Sequence, residues 1–164
     1  MKRSRLPLLG LFFLTACSSA TIEGVKTYTY ASGVHQEGLI TYRETPAVGG
    51  PHNQSWQDCG VYTAPLYPMY TVHSLEHGAV SITYQPGLSA DQVKALTDLT
   101  RARRYTLLSP LEQASPIMLS AWGVQLSVDT VSDARVAAFL RKYEQASTAP
   151  EPGAPCTGGV TTTT

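Results

Sequence analysis

The alternation of apolar and polar residues predicts several short strands. Residues 79–85 (AVSITYQ) alternate with a period of two and stop at a Pro-Gly turn, which makes this segment the clearest strand in the chain. Its pattern suits a sheet with one buried face. Short apolar and β-branched runs predict further strands at 38–42, 105–108, 117–122 and 124–128.

Two longer segments repeat their apolar residues with the period of a helix. Residues 90–103 follow Ser89, the expected N-cap, and a second helix follows Ser132 in the same way. The apolar faces consist of Val93, Leu96 and Leu99 in the first helix and Val136, Phe139, Leu140 and Tyr143 in the second. Together these elements predict a single α+β domain, with a mainly antiparallel sheet and two helices packed on one face.

The first 16 residues have the organisation of a signal peptide. Basic residues within 1–5 precede an apolar run at 6–14 and the small-residue sequence TACSS. As a helix this run would be about 14 Å long, against a hydrocarbon thickness of about 30 Å, so it is too short to span a membrane. The sequence from Leu14 to Cys17 resembles a bacterial lipobox, which makes Cys17 the expected lipid anchor. An ordinary secretory signal with an incidental cysteine is the alternative.

These features predict how the mature chain is organised and where it is located. Residues 17–24 are expected to form a short tether and residues 25–146 the globular domain. Residues 147–164 are rich in Pro, Gly and Thr and are predicted to be a flexible tail. A lipid at Cys17 would hold the domain on the extracytoplasmic side of the bacterial cell envelope, so the membrane is the expected partner.

The charge of the chain argues against nucleic acid as a partner. The sequence contains 12 basic and 12 acidic residues, and three of the basic ones lie in the signal peptide, so the mature chain is mildly acidic. Such a chain lacks the positive surface that drives nucleic-acid binding. The sequence also has no Gly-x-Ser-x-Gly nucleophile elbow and no glycine-rich phosphate loop.

The candidate chemistry lies in a cluster of histidines in the first half of the chain. The sequence contains four, namely His35, His52, His73 and His77. A short helix is predicted at 69–77, and the periodicity of a helix places several potential metal ligands on one of its faces. That face consists of Met69, His73, Glu76 and His77. A third imidazole from His52 or His35 would complete a site for a transition metal ion.

The donor types leave more than one metal open. Neutral imidazole suits zinc, copper, iron and nickel, and one ion of copper or zinc is the expected cofactor. The thioethers of Met69 and Met118 are soft donors that would favour Cu(I).

Two other interpretations of the histidines remain open. They could be structural residues of a metal-free envelope domain that interacts with another protein. The segment from His73 to His77 also matches the His-x-x-Glu-His pattern of a class of zinc peptidases, in which Glu76 would be the general base. Such peptidases need a further distant carboxylate ligand and larger domains, so metal binding without catalysis is the leading interpretation.

A longer series of motifs is similar to a known family. The motifs are GGPH at 49–52, WQDCGVY at 56–62, VHSLEHG at 72–78 and AWG at 121–123. Across residues 33–145 they resemble the bacterial domain-of-unknown-function family 3105. The resemblance implies an exported or membrane-attached protein, and it supports His52, His73, Glu76 and His77 as a shared site without naming a ligand. The segment before His52 lacks a serine that the family pattern commonly has.

The two remaining cysteines form an even pair in an exported protein. Oxidising conditions outside the cytoplasm favour a disulfide between Cys59 and Cys156. Such a bond would hold the predicted tail against the loop that contains His52. The alternative is that Cys59 is a thiolate metal ligand beside His52 and Cys156 is a free thiol.

Overall fold

The structure is a computed structural model that describes residues 21–164. The predicted signal peptide, Cys17 and the first part of the predicted tether lie outside the described residues. Within residues 21–164 the elements in chain order are β1 (Lys26–Thr27), β2 (Gly60–Val61), α1 (Pro68–Glu76), β3 (Val80–Tyr84), α2 (Ala90–Arg101), β4 (Thr106–Pro110), β5 (Ile117–Ala121), β6 (Val124–Val128) and α3 (Ala134–Tyr143). None of the helices in this range combines the length and the apolar character needed to cross a bilayer.

The strands of the described chain form one mixed sheet in the order β1-β6-β5-β3-β4-β2. Neighbouring strands are antiparallel from β1 through β6 and β5 to β3. β4, in contrast, pairs parallel with both β3 and β2. The α+β class is therefore confirmed, and the sheet is mixed, with three antiparallel and two parallel pairings between its described strands. The chain crosses from β3 to β4 through α2, and such a crossover brings the second strand back in the same direction as the first.

One face of the sheet carries the main hydrophobic core. Ile82 of β3 lies opposite Leu108 of β4 and Leu119 of β5, so the three side chains project from the same face. Helices α2 and α3 complete this cluster with Leu96, Val136, Phe139 and Leu140. Burial of each large side chain contributes roughly 1.5–3 kcal/mol relative to exposure, which explains why these helical faces dock on the sheet.

The opposite face of the central strands is mostly polar and is covered in part by irregular chain. Its buried side chains include Ser81, Thr83, Ser109, Ser120 and Gln125, beside the apolar Leu107 and Met118. Gln125 Nε2 donates a hydrogen bond to the carbonyl of Pro46 at 3.0 Å, which fastens the loop before His52 to β6. Helix α1 contacts β3 and β5. The sheet therefore supports the loop that carries His52 and the helix that carries His73.

The strand predicted at 38–42 does not form, so that prediction was wrong. Leu39 is 82% exposed, whereas Ile40 and Tyr42 line a cavity beside Pro46. The hydroxyl of Tyr42 donates a hydrogen bond to a loop carbonyl at 2.6 Å instead of lying in a ladder of strands. A short apolar run indicates burial, and it becomes a strand only when a sheet edge is available to pair with it.

The N-terminus of α3 also differs from the prediction. The N-cap is Asp133 rather than Ser132, because the Asp133 carboxylate accepts a hydrogen bond from the main-chain N–H of Arg135 at 2.8 Å. The same carboxylate pairs with the guanidinium of Arg135. The Asp133 carboxylate satisfies a main-chain N–H of the first turn, and its negative charge is favourable at the N-terminus of a helix.

Candidate metal site

Helix α1 sets the position of two of the candidate ligands. It begins with Pro68. Proline suits the first turn of a helix because the N–H that it lacks would have no partner within the helix there. His73 and Glu76 lie in its last turn and are buried. His77 ends the helix as its C-cap, and Gly78 follows with φ of +90°. A side chain at Gly78 would be strained, and its Cβ would lie 2.7 Å from the side-chain nitrogen of Gln145, so glycine is required for this turn.

Two loop segments bring His35 and His52 to the same place. The main-chain N–H of His52 donates to the carbonyl of Val34 at 3.0 Å, and its carbonyl accepts from Gln36 at 2.8 Å. This isolated parallel bridge puts the His35 and His52 rings 5.1 Å apart, measured between ring centroids. The His73 ring lies 4.8 Å from the His52 ring and 5.3 Å from the His35 ring. Three imidazoles from separate segments therefore meet beside α1.

Three of the histidines are oriented in the same way by the main chain. In each ring Nδ1 lies within hydrogen-bond distance of a carbonyl oxygen. The pairs are His52 with Gly50 at 2.9 Å, His73 with Asn53 at 2.7 Å and His77 with Pro155 at 2.6 Å. A carbonyl can only accept, so Nδ1 must carry the hydrogen, and in the neutral ring Nε2 holds a free lone pair. Hydrogen bonds of this kind orient the imidazoles of metal sites.

The carboxylate of Glu76 faces His52 in a buried contact. Its Oε1 accepts a hydrogen bond from the main-chain N–H of Gly33 at 2.7 Å. Its Oε2 lies 2.8 Å from His52 Nε2, yet neither atom has a hydrogen-bond partner in the described part of the chain. Both residues are at most 1% exposed. With Nδ1 of His52 protonated, two electron-rich atoms face each other away from water, and a cation between them, either a proton or a metal ion, would remove the repulsion.

Burial keeps His73 in its neutral form. Removal of the ring from water lowers the pKa of His73 from its ordinary value of 6.5 to about 4. Nearby His77 and His52 lower this pKa further, while the carbonyl of Asn53 and the carboxylate of Glu76 raise it. His73 therefore has a free Nε2 lone pair at neutral pH, which is the form that binds metals.

The possible ligand atoms form two groups that have one residue in common. The first group consists of His35, His52, His73 and Glu76, and the second of His73, His77 and Glu151. Within each group the ligand atoms all lie within 4.8 Å of one another. Small movements would bring such atoms to the roughly 2.0–2.2 Å at which imidazole and carboxylate bind zinc. Of the first group, His35 alone is exposed.

The cysteines and the C-terminal segment complete the second group. Cys59 and Cys156 form a disulfide with their Cα atoms 5.3 Å apart, so neither offers a thiolate to a metal. Main-chain hydrogen bonds continue this contact between the two segments, and the N–H of Val160 donates to the carbonyl of Trp56 at 2.8 Å. The composition of residues 147–164 predicts a flexible tail. In the structure this segment runs beside residues 56–59 and brings Glu151 to His77.

The sequence pattern indicated every histidine of the two groups and Glu76, but not Glu151. Its position depends on the disulfide and on a main-chain hydrogen bond from Glu151 N to the carbonyl of Glu76 at 2.9 Å. No local pattern in a segment rich in Pro and Gly marks such a contact. Met69 is buried in the first turn of α1, where its carbonyl accepts from Asn53 N at 3.1 Å, and Met118 is buried in β5.

Two tryptophan rings stand next to the histidines. The ring of Trp56 lies 5.9 Å from that of His73 and 5.2 Å from that of His77, and Trp122 lies 5.9 Å from His52. Flat apolar rings beside the imidazoles limit the access of water, which strengthens electrostatic interactions with any bound cation.

Comparison with known proteins places this site in a family context. The family described as Protein of unknown function (DUF3105) has a model that matches residues 34–158, a range that contains both groups of ligands. No curated protein and no solved structure matches the chain.

Proposed function

We propose that this protein, which belongs to the DUF3105 family, binds one divalent transition metal ion through His35, His52, His73 and Glu76. The observation that carries the proposal is the buried contact between His52 Nε2 and Glu76 Oε2. Two lone-pair atoms that face each other without a hydrogen bond are the arrangement that ligand atoms adopt around a cation. The carbonyl that binds Nδ1 of His52 fixes the orientation that this requires.

The donor types favour Zn(II) or Cu(II). Three imidazole nitrogens and one carboxylate oxygen are borderline donors that suit these divalent ions, whereas Cu(I) prefers sulfur. The disulfide removes both described cysteines as thiolate ligands. Four protein ligands without an open position are typical of a binding or storage site, while catalytic zinc sites keep one position for water.

The arrangement of Glu76 supports binding rather than hydrolysis. In the His-x-x-Glu-His mechanism, the glutamate stays off the metal and takes a proton from the bound water. Here Oε1 of Glu76 is engaged by Gly33 and Oε2 faces His52, so neither oxygen is free to act as a base toward water held by His73 and His77.

The same contact favours one second candidate, a buried ion pair without metal. If a proton lies between His52 and Glu76, the histidines are structural and the domain is a metal-free interaction module of the envelope. Removing one partner of such a pair would leave a buried, uncompensated charge and destabilise the fold. Metal addition would then leave the stability unchanged.

Metal-dependent unfolding of the full chain, purified without a histidine tag, separates the two candidates. Zn(II) or Cu(II) should remain at one ion per chain after dialysis. The free energy of unfolding should rise by about 2.7 kcal/mol when the free ion is at 100 times its dissociation constant. Chelator should reverse the increase.

Two variants localise the effect. Glu76→Gln keeps the size of the side chain and removes its charge, so the variant should lose most of the metal-dependent increase. Glu112→Gln makes the same chemical change at an exposed residue and should behave as the unmodified protein. An unmodified protein that retains no ion, and whose unfolding is insensitive to metal and chelator, would establish the structural ion pair instead.

We also propose that the protein is a lipoprotein of the bacterial cell envelope, anchored through a lipid on Cys17. The support is the basic, apolar and small-residue order of residues 1–19 and the lipobox-like sequence that ends at Cys17. In a bacterial host, Cys17→Ser should release the protein from the membrane fraction. Equal membrane retention of the variant would contradict the anchor.

A further inference from the structure

We infer that the histidine cluster holds its ion in two overlapping positions and passes it between them through His73. The inference rests on the proposed metal binding. The first position is formed by His35, His52, His73 and Glu76, all of which are buried except His35, and the second is formed by His73, His77 and Glu151. The cluster is then a transfer site for a divalent ion rather than a single fixed site.

The second position has the geometry of a binding site of its own. The rings of His73 and His77 lie 4.5 Å apart, and His77 Nε2 lies 3.6 Å from Glu151 Oε2. Because the carbonyl of Pro155 accepts from Nδ1 of His77, the Nε2 lone pair of the neutral ring is directed at this position. His77 is buried, whereas the Glu151 side chain is 54% exposed, so the position connects the interior with solvent.

His73 prevents both positions from being filled at once. Its Nδ1 donates to the carbonyl of Asn53, which leaves one lone pair, on Nε2, for a metal. One lone pair binds one ion. An ion at either position therefore uses the ligand atom that the other position needs, and the ion can move between them without releasing His73.

The difference in ligands gives the transfer a direction. The second position has two imidazoles and an exposed carboxylate, so it would capture a hydrated ion with modest affinity. The first position has three imidazoles and a carboxylate that is 1% exposed, so it would hold the ion more tightly. The two are physically joined, because the main-chain N–H of Glu151 donates to the carbonyl of Glu76 at 2.9 Å.

Equilibrium binding of Zn(II) to the full chain tests whether the positions exclude each other. Unmodified protein should saturate at one ion. The double variant His52→Gln/Glu76→Gln should still bind one ion, more weakly. Adding Glu151→Gln removes a ligand and should weaken that remaining binding by at least the roughly 10- to 100-fold that the loss of a merely supporting group costs. Two ions per unmodified chain, or no remaining binding in the double variant, would overturn the inference.

The rate of metal transfer provides a test that keeps the buried residues intact. Glu151→Gln alone should slow the transfer of Zn(II) to a chromophoric chelator by about tenfold or more, because it removes a ligand of the second position, and even the loss of a group that only supports a ligand costs about 10- to 100-fold in affinity or activity. The affinity of the first position should change little. Glu112→Gln, an exposed acid changed in the same way, should transfer at the unmodified rate. If Glu151→Gln also transfers at that rate while one ion is bound, the two-position inference fails and the proposed function stands; if unmodified protein binds no ion, the proposed function itself fails.

Discussion

At the scale of single residues, the positions of hydrogen atoms decide what the histidines can do. A histidine whose Nδ1 faces water can carry its hydrogen on either nitrogen, but one whose Nδ1 faces a carbonyl cannot. His52, His73 and His77 all face main-chain carbonyls, which belong to the loop around Gly50 and Asn53 or to Pro155. Nε2 of His52 consequently faces Glu76, and Nε2 of His77 faces Glu151. This shared orientation leaves the Nε2 atom of each neutral ring with a lone pair that can bind a metal ion.

The free energy of unfolding of the metal-free protein should fall as the pH is lowered from about 6.5 toward 4, because of His73. Burial lowers the pKa of folded His73 to about 4, while the ordinary value of 6.5 applies to the unfolded chain. Between these values, the unfolded chain binds more protons than the folded one, so acid favours unfolding. The contribution is complete above pH 6.5 and is lost as the pH falls to the folded pKa.

Urea unfolding in the presence of a chelator, at several pH values in this interval, measures the effect. The variant His73→Gln does not titrate at this position, so its stability should depend less on pH across the same range. A His73 ring that titrates near its ordinary value in the folded protein, as followed by NMR, would contradict the prediction.

At the scale of elements, regular segments were predictable because their information is local. The alternation in residues 79–85 and the helical spacing in residues 90–103 each place the apolar side chains on one face, and both elements form close to the predicted bounds. The parallel pairing of β4 with β2 was not predictable in this way. β2 is two residues long and carries no period, and its partner lies more than 40 residues away in the chain.

The candidate site shows the same division between local and distant information. Helical spacing predicted that His73 and Glu76 lie near each other, and the structure puts both in the last turn of α1. The role of His77 as C-cap, and its contact with Glu151, depend on chain that returns from the C-terminus. Spacing within one helix cannot show which distant carboxylate or carbonyl will meet its side chains.

The N-cap of helix α3, which is Asp133 instead of the predicted Ser132, can be tested directly. Asp133→Ala should lower the free energy of unfolding by about 1 kcal/mol, because the main-chain N–H of Arg135 loses its acceptor. Ser132→Ala, at the residue that the sequence pattern favoured as N-cap, should change it by less than about 0.5 kcal/mol. Urea unfolding of the two variants in parallel measures both values. An equal or larger loss for Ser132→Ala would show that the hydroxyl is the cap.

At the scale of the whole molecule, segments that are far apart in the chain together build the site. Segment 33–36 lies against His52, and Gly33 binds Glu76. Segment 151–160 lies against Trp56 and His77. Helix α1, which carries His73 and Glu76, contacts β3 and β5. The sheet and α1 thus provide a regular base, while the other ligands come from irregular chain that can adjust around an ion.

The disulfide connects the stability of the whole molecule to one of the two metal positions. It joins residues 97 apart in the chain, so in the chain-entropy model its loss costs about 4 to 5 kcal/mol of unfolding free energy. Cys156 directly follows Pro155, whose carbonyl orients His77, and Glu151 lies in the same segment. Loss of the bond should therefore disturb the second position and leave the first, which holds no residue after Glu76.

The double variant Cys59→Ser/Cys156→Ser should accordingly bind one Zn(II) per chain, be less stable by several kcal/mol, and transfer the ion as slowly as Glu151→Gln. Peptide mapping by mass spectrometry, with and without reductant, should first identify the linked peptides that contain Cys59 and Cys156 in the unmodified protein. Urea unfolding and chelator kinetics then measure the two effects. A variant that has lost stability but transfers metal at the unmodified rate would show that the C-terminal segment stays in place without its covalent bond, and that main-chain hydrogen bonds such as the one between Val160 and Trp56 are sufficient to hold it.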